Sequence, residues 1–563
     1  MESEFEMDLA SPVGTRALYI RMMRRVRRAT SFMVAVTAVC AIASLGAAFA
    51  LRRLCLAVRP ASRQRRLLAN ILRSNAASEY GLAHGFGSNS SSPGAFLESH
   101  PIADYEGIRS WVERSVLENR NLLADTDLFQ VSTTSGTTGQ PKVILQSRSL
   151  YRREYLEYTL AVLFRILCAD PRSILRPLSI IAAGGERKRM GAVASASAAN
   201  TLYRTSPVRR LAALPPALLE IEDPRARYYY FALFTTACRS RCVATPNPTT
   251  VMEMLGAAAR HRESLDADLR LKRLENRFGL LESTWHEVQA AWIDLDLASN
   301  TSRAPLADVR TIVTWTGGSC GFFARRLAER LPNSRVLELG YLATDSPICV
   351  PLGRHRQVLA ADSVFAEFLP LDGDPRPRLY HELEQGKLYE IVLTNRYGLY
   401  RYAMRDIVKA NGRIFGSPCL EFVRKTAGFS NITGEKLSED QVCAALATCE
   451  TALGLSIEFF VVVPDLESQG YDVFCELATS ANSHFETILP ESFDDALREL
   501  NVEYRAKRLD GRLRRAHFVP LLKGAGERYK HAMLARGARD VQFKVRHLQA
   551  DNAHRELLAS MAQ

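Results

Sequence analysis

The first long pattern along the chain is an uncharged one. Ser31 to Leu51 runs 21 residues without a charged side chain (SFMVAVTAVCAIASLGAAFAL), with Arg21, Arg24, Arg25, Arg27 and Arg28 before it and Arg52 and Arg53 after it. About 20 apolar residues suffice to cross a bilayer as a helix. Residues 31–51 are therefore predicted to form a membrane-anchor helix behind a basic segment, 1–30. Arginines on both flanks leave its orientation open. Two other readings stand beside the anchor. Ala47-Ala48-Phe49-Ala50 has the small residues of a signal cleavage site, and the run also suits a buried or interfacial helix.

Beyond it the periodicity becomes that of a folded body. Leu67, Leu68, Ile71 and Leu72 share one face of a helix predicted over 61–80. Gly85 to Gly94, with Ser90-Ser91-Ser92, reads as a loop. Val143-Ile144-Leu145 is strand-like, and residues 251–293 form a charge-rich helical stretch. Val309 to Trp315 reads as a buried strand, followed by a glycine turn, a helix over Phe322–Leu331, and strands at 334–339, 364–369, 387–394 and 413–423. That alternation predicts a large α/β domain of mixed sheets and helices over 60–424. Around 425–434 the chain turns polar and glycine-bearing, as a hinge does. Helical patterns at 437–448 and 491–507 and strands at 457–463 and 471–477 then predict a smaller α+β domain over 435–563.

The bulk numbers refine this picture in two places. A chain of 563 residues has room for two or more domains. Its net charge of +12 first suggests nucleic acid, but residues 1–66 carry twelve arginines against four acids, so +8 lies there and +4 is spread over the rest. A small excess on a large body is an ordinary solvated surface, and nucleic-acid binding is not expected. The eleven cysteines form no CxxC pair. Cys238 and Cys242 follow the apolar Phe231-Ala232-Leu233-Phe234, which points to buried free thiols and a reducing compartment.

Five motifs carry candidate chemistry. The loop Ser132-Thr133-Thr134-Ser135-Gly136-Thr137-Thr138-Gly139-Gln140-Pro141-Lys142 packs six hydroxyls, two glycines and a lysine into eleven residues. Glycines let backbone amides approach a phosphate, hydroxyls donate, and lysine supplies charge. Its spacing is not that of a Walker A loop. Tyr341-Leu342-Ala343-Thr344-Asp345-Ser346 follows a strand, where Thr344 suits a phosphate and Asp345 suits magnesium, a hard cation. A turn-capping Thr-Asp explains the same letters. In Gly398-Leu399-Tyr400-Arg401-Tyr402-Ala403-Met404-Arg405-Asp406, Asp406 can accept from both ribose hydroxyls. Gly434-Glu435-Lys436, with Arg424 ten residues before its glycine, and Gly537 to Arg546, with Lys544, add point charges suited to a phosphate ester.

In this order the motifs resemble the adenylate-forming superfamily. From about residue 60 the chain is similar to the plant auxin-responsive (Gretchen Hagen) acyl-acid amido synthetases and their bacterial relatives. Further positions carrying that resemblance are Glu79-Tyr80-Gly81, Pro101-Ile102, Phe365-x-Glu367-Phe368, Leu500-Asn501-x-x-Tyr504 and Gln542-x-Lys544-x-Arg546. The resemblance implies a large nucleotide-binding domain with a small mobile one. It implies ATP and Mg2+, a carboxylic acid substrate, and an amine, usually an amino acid, as acceptor. Ser135, Thr137 and Lys544 would then be catalytic. Thr134, Ser135, Gly136, Thr137, Thr138, Gly139, Lys142, Tyr341, Thr344, Asp406, Arg424, Lys436 and Lys544 would bind the nucleotide, and Asp345 the metal. This chain departs from the family at Asp345, where glutamate is usual, and at Arg405, where glycine is usual.

An ATP-using body belongs in the cytosol, either anchored through 31–51 or free. Other products remain open: a thiol acceptor would give a thioester, an alcohol an ester, and a degenerate descendant would only bind. Gly317-Gly318-Ser319-Cys320-Gly321 also matches the serine-hydrolase elbow G-x-S-x-G, with His484 or His517 downstream. In the resembled superfamily a glycine turn after this strand borders the acyl and adenine pocket, which would explain these glycines without a nucleophile.

Overall fold

The computed structural model describes residue 37 and residues 39–562 apart from 88–91, 134–141, 183–187, 206, 272, 294, 296–303, 319, 353–355, 426–428, 434, 479–482, 510–512, 537–542 and 551. The fold is α/β, with three sheets in the large body and a smaller α+β unit at the carboxyl end.

Four short parallel strands, Ser179–Ile180, Cys242–Ala244, Thr311–Thr314 and Arg335–Glu338, lie side by side in that order. The strand predicted at Val309–Trp315 is thus Thr311–Thr314, buried at every position. Parallel strands need cover on both faces. The helix Pro224–Ala237 belongs to that cover and is buried almost all round, from Tyr228 to Phe234. A seven-stranded sheet runs in the order 378–379, 364–370, 388–395, 402–414, 417–425, 357–359, 349–351. A smaller sheet pairs Gln130–Thr133 with Val143–Gln146.

Several elements differ from the sequence reading: the strand expected at 413–423 contains the turn Phe415-Gly416, and the helix expected at 491–507 is two, Ser483–Leu500 and Val502–Leu509. The helix expected over 61–80 ends at Ser74, and a second short helix, Glu79–Ala83, starts on a Ser78 cap that accepts from Gly81 N–H. The stretch 251–293 is three helices, Thr249–Arg260, Arg262–Leu271 and Glu282–Ile293. The strand Tyr402–Ile414 was not expected, because Arg405, Asp406 and Lys409 interrupt its alternation.

Gly398-Leu399-Tyr400-Arg401-Tyr402 turns out to be a packing motif. Gly398 has φ 112°, and a Cβ there would meet Leu123 Cβ at 2.5 Å. Tyr400 OH donates to the Leu123 carbonyl at 2.7 Å. Buried Arg401 forks onto Glu367, at 2.9 Å from Nε and 2.7 Å from Nη2, and Nη1 donates to the carbonyls of Leu97 and His100 at 2.7 and 2.6 Å. Removing one partner of a buried pair strands the other charge. Arg401→Ala is expected to cost about 3–5 kcal/mol of folding stability, read as a lower urea midpoint. A midpoint unchanged from the parent would contradict this role.

The carboxyl-terminal unit has its own core, with Val442, Leu446, Phe460, Val473, Phe493 and Tyr504 buried in one cluster. It carries the strands Ile457–Asp465, Gly470–Leu477 and His517–Pro520 against the helices Glu439–Leu453 and Ser483–Leu500. Arg326 reaches it through Glu450 at 2.6 Å and Arg330 through Glu458 at 2.7 Å. Lys530 returns the contact, donating to Tyr228 OH at 3.0 Å with Glu253 at 3.3 Å. The amino-terminal helix runs Val39–Ala57, straight through Arg52 and Arg53; residues 1–36 lie outside the described residues.

Candidate functional site

Asp406 is the node of the site. The strand Tyr402–Ile414 bulges there: Glu390 faces Ile407 while Val392 faces Ala403, so residues 404–406 crowd opposite one residue. The bulge turns the backbone at Arg405 to φ 60°. Asp406 is buried, and its Cα partner on the next strand is Lys425. Lys425 Nζ donates to Asp406 Oδ1 at 2.6 Å, and Tyr341 OH donates to Oδ2 at 2.5 Å. Burial and then the Asp406 charge hold the Tyr341 phenol far above its ordinary range. Tyr341 N–H is fixed in turn by Gln357 Oε1 at 2.8 Å. A carboxylate has about four acceptor sites, so Asp406 keeps capacity for a ligand's hydroxyls.

Asp345 follows in the turn closed by the bridge between Leu342 and Pro347. It is buried, and its Oδ1 has no hydrogen-bond partner among the described residues. Burial pushes its carboxyl above the usual range; Lys425 pulls against this, Asp406 adds to it, and Lys142 also pulls against it. The neighbouring Thr344 is placed by its backbone. Its carbonyl accepts from Gln146 Nε2 at 3.1 Å. Gln146 is held by Tyr151 OH, which accepts from Gln130 Nε2 at 2.7 Å, and Gln130 Oε1 accepts from Thr201 at 2.8 Å. These buried polar groups satisfy one another and tie the Thr344 turn to the strands flanking the hydroxyl-rich loop.

Of that loop, Ser132, Thr133 and Lys142 are described; Thr134, Ser135, Gly136, Thr137, Thr138, Gly139, Gln140 and Pro141 lie outside the described residues. Its ends are well held. Thr133 pairs with Val143, Ser132 Oγ donates to the Ala196 carbonyl at 2.7 Å, and Val143 N–H donates to Tyr105 OH at 3.0 Å. Lys142 Nζ donates to Tyr402 OH at 3.3 Å and lies over the Tyr105 and Tyr402 rings.

The glycine turn closes another side. A Cβ on Gly317 would sit 2.7 Å from the Phe422 carbonyl oxygen, and one on Gly318 would sit 2.8 Å from that of Val423. Close backbone approach therefore accounts for these glycines. Ser319 lies outside the described residues, and His517 is exposed and pairs with Asp472 in the carboxyl-terminal unit. Among the described residues, no elbow geometry supports the hydrolase reading.

Lys544 comes from the carboxyl-terminal unit. Asn247 Nδ2 of the large body donates to the Phe543 carbonyl at 2.5 Å. The next residue's ammonium lies 3.9 Å from the centre of the Trp315 ring and 5.9 Å from that of Phe422. Phe422 is itself 5.5 Å from Tyr341, ring to ring. The fold thus brings Lys544, Tyr341, Asp345, Asp406 and Lys142 into one region.

Arg424 and Lys436 lie on either side of residues 425–434. Buried Arg424 lies 3.9 Å over Phe429, with Nε 2.9 Å from Asp440 Oδ1, linking the strand end to the helix beyond residues 425–434. In Gly434-Glu435-Lys436 the glycine lies outside the described residues and Lys436 is exposed at φ 46°. Glu435 organises that turn, accepting from Ile432 N–H at 2.7 Å, Thr433 N–H at 2.8 Å and Tyr471 OH. Lys425 was missed by motif reading. It was findable in principle, since a two-residue turn at Phe415-Gly416 places 406 opposite 425.

Arg405 takes the left-handed backbone that glycine adopts freely. Its half-exposed guanidinium is drawn to Asp104 at 3.5 Å and Glu390 at 3.6 Å, not to Asp406. Exposed pairs of this kind contribute little. Arg405→Gly is expected to change stability by under about 1 kcal/mol and nucleotide KM by under about threefold. A tenfold gain in kcat/KM would show instead that Arg405 obstructs the site.

Three consecutive family models match: the GH3 family N-terminal domain over 55–336, the central domain over 357–425 and the C-terminal domain over 440–553. A probable indole-3-acetic acid-amido synthetase, GH3.6 of Oryza sativa subsp. japonica, is 36% identical over 154 residues, 24% of this chain and 31% of that protein. The 4-substituted benzoates-glutamate ligase GH3.12 of Arabidopsis thaliana is 27% identical over 215 residues, 35% of this chain and 37% of that one. The chain thus spans about a third of the length of these two relatives. The solved structure of AtGH3.15 acyl acid amido synthetase in complex with 2,4-DB shares the fold at TM-score 0.81 and 18% identity, over 91% of this chain and 96% of that one. With the first of the three models alone matching 55–336, half of the chain, this protein belongs to the GH3 family.

Proposed function

We propose that the protein is an acid–amino acid ligase that activates a carboxylic acid with ATP as acyl-AMP and passes the acyl group to an amine. The observation that carries this is Lys544, delivered by the carboxyl-terminal unit to the Trp315–Phe422 face beside the Tyr341–Asp406–Lys425 node. A basic group there can balance charge growing on an α-phosphate while Asp406 holds the ribose by its hydroxyls. Lys425 and Tyr341, one on each carboxylate oxygen, hold Asp406 aimed. Thr344, with its carbonyl pinned by Gln146, and the loop between Thr133 and Val143 are the further phosphate contacts. The amine acceptor follows from the names of the relatives, an acid-amido synthetase and a benzoates-glutamate ligase.

The residues fit a magnesium ion. Mg2+ takes one or two carboxylates and leaves its other positions to water and phosphate, and Asp345 presents one buried oxygen without a partner among the described residues. When bound, the ion would neutralise phosphate charge. Asp345→Asn is expected to raise the Mg2+ concentration for half-maximal activity at least about tenfold while leaving the melting temperature of the free protein unchanged. An unaltered Mg2+ requirement would remove Asp345 from that role.

The acceptor is tested by incubating the protein with ATP, Mg2+, a panel of aryl and alkyl carboxylic acids, and either the twenty amino acids or coenzyme A. The expected product by mass spectrometry is an N-acyl amino acid. A thioester formed in preference to any amide would overturn the acceptor assignment.

A further inference from the structure

The amino-terminal helix Val39–Ala57 does not stand away from the body. Ile42, Gly46, Phe49, Arg53 and Ala57 form one buried stripe along it. Ile42 and Phe49 share a cluster with Tyr158, Val162 and Ile166 of the helix Leu156–Ala169. At Gly46 the approach is so close that a Cβ would lie 2.5 Å from Phe164 Cβ. Arg52 and Arg53 each bind Asp362, and they reach Glu157 at 2.8 and 3.4 Å.

This docking conflicts with a bilayer span. Residues 42–57 lie along the body, and the uncharged residues left before them, Ala29 to Ala41, number thirteen. As a helix they reach about 20 Å, short of the roughly 30 Å hydrocarbon core. The face turned away from the body is nevertheless apolar: Leu45, Ala48, Leu51 and Cys55 are exposed at helical spacing, Leu45 at 56% and Leu51 at 63%. Basic residues flank the helix in the sequence. Arg21, Arg24, Arg25, Arg27 and Arg28 precede it in the sequence, and Arg59, Arg65 and Arg66 follow it, exposed.

We infer that this helix lies in the plane of an anionic membrane surface, its outer face seated among the lipids while its inner stripe stays docked to the body. Apolar burial at the headgroup boundary and arginine attraction to acidic lipids act together in such helices. The occupant is an anionic bilayer surface, matched by the +8 charge of the first 66 residues.

The test is co-sedimentation of the full chain with vesicles of phosphatidylcholine alone and with about 30% phosphatidylserine. The expected result is at least about tenfold tighter partition onto the acidic vesicles, with release by alkaline carbonate. Leu45→Asp/Leu51→Asp, at exposed positions, is expected to reduce partition at least about tenfold with no change in melting temperature. Arg65→Glu/Arg66→Glu should lower it through charge alone. Retention through carbonate would show a span and overturn the inference. So would equal partition of the variants and parent, or a chain that ignores both vesicles, whether monomeric or dimerising through this face.

Discussion

Asp406→Asn is expected to lower acid-dependent nucleotide turnover by at least about 10³-fold. A site built to hydrogen-bond a substrate's hydroxyls discriminates by factors of this size, because its polar groups are left unpaired when the match fails. The substitution keeps the shape and removes the charge. Lys425, 2.6 Å away, loses its counter-ion, and the new amide donor faces either that ammonium or the Tyr341 hydroxyl. Lys425 is half exposed, so solvent softens the loss of the pair, and the variant's melting transition must show it folded. Calorimetry should then find ATP affinity lost in the folded variant. Normal affinity and turnover would mean that the Asp406 node is only a structural tie.

Lys544→Ala is expected to separate the two half-reactions. Removing one preorganised donor from a developing oxyanion costs about 10²–10³-fold, and adenylation should fall by that amount. Transfer of a chemically supplied acyl-AMP to the amine should fall by less than about tenfold, because Lys544 balances phosphate charge that grows only in the first step. Stability should barely move. The side chain is exposed, and its contact with Trp315 is a cation–π pair of about 0.5–1 kcal/mol. Equal losses in both steps would place Lys544 in general binding rather than in adenylation.

Local elements and candidate residues were legible in the sequence, and long-range pairing was not. The strand and glycine turn around 309–321 could be read from hydrophobic runs and glycine spacing, and the glycines do pack against the backbone of Phe422 and Val423. Asp406 could be singled out by residue type. Its partner could not, because charged residues and a bulge disguise the strand that puts Lys425 across from it. Tyr341 could be named as a candidate from its motif; that its hydroxyl serves Asp406 needed the fold. The relay from Thr201 to Thr344 joins residues far apart in sequence, each with side chains common in any loop. The amino-terminal helix shows the same limit. Charge at Arg52 and Arg53 marks an end to a membrane span, yet the helix continues, because Glu157 and Asp362, about 105 and 310 residues away, meet that charge.

The central claim, acyl-adenylate chemistry at the Asp406–Lys544 site, is tested most directly by pyrophosphate–ATP exchange. The full chain is incubated with ATP, labelled pyrophosphate, Mg2+ and a panel of carboxylic acids, with no amine present. Label is expected to enter ATP only when a suitable acid is added, and to fail to enter with Asp406→Asn or Lys544→Ala. Amide formation from these acids without any acid-dependent exchange, or exchange that survives both substitutions undiminished, would contradict the account.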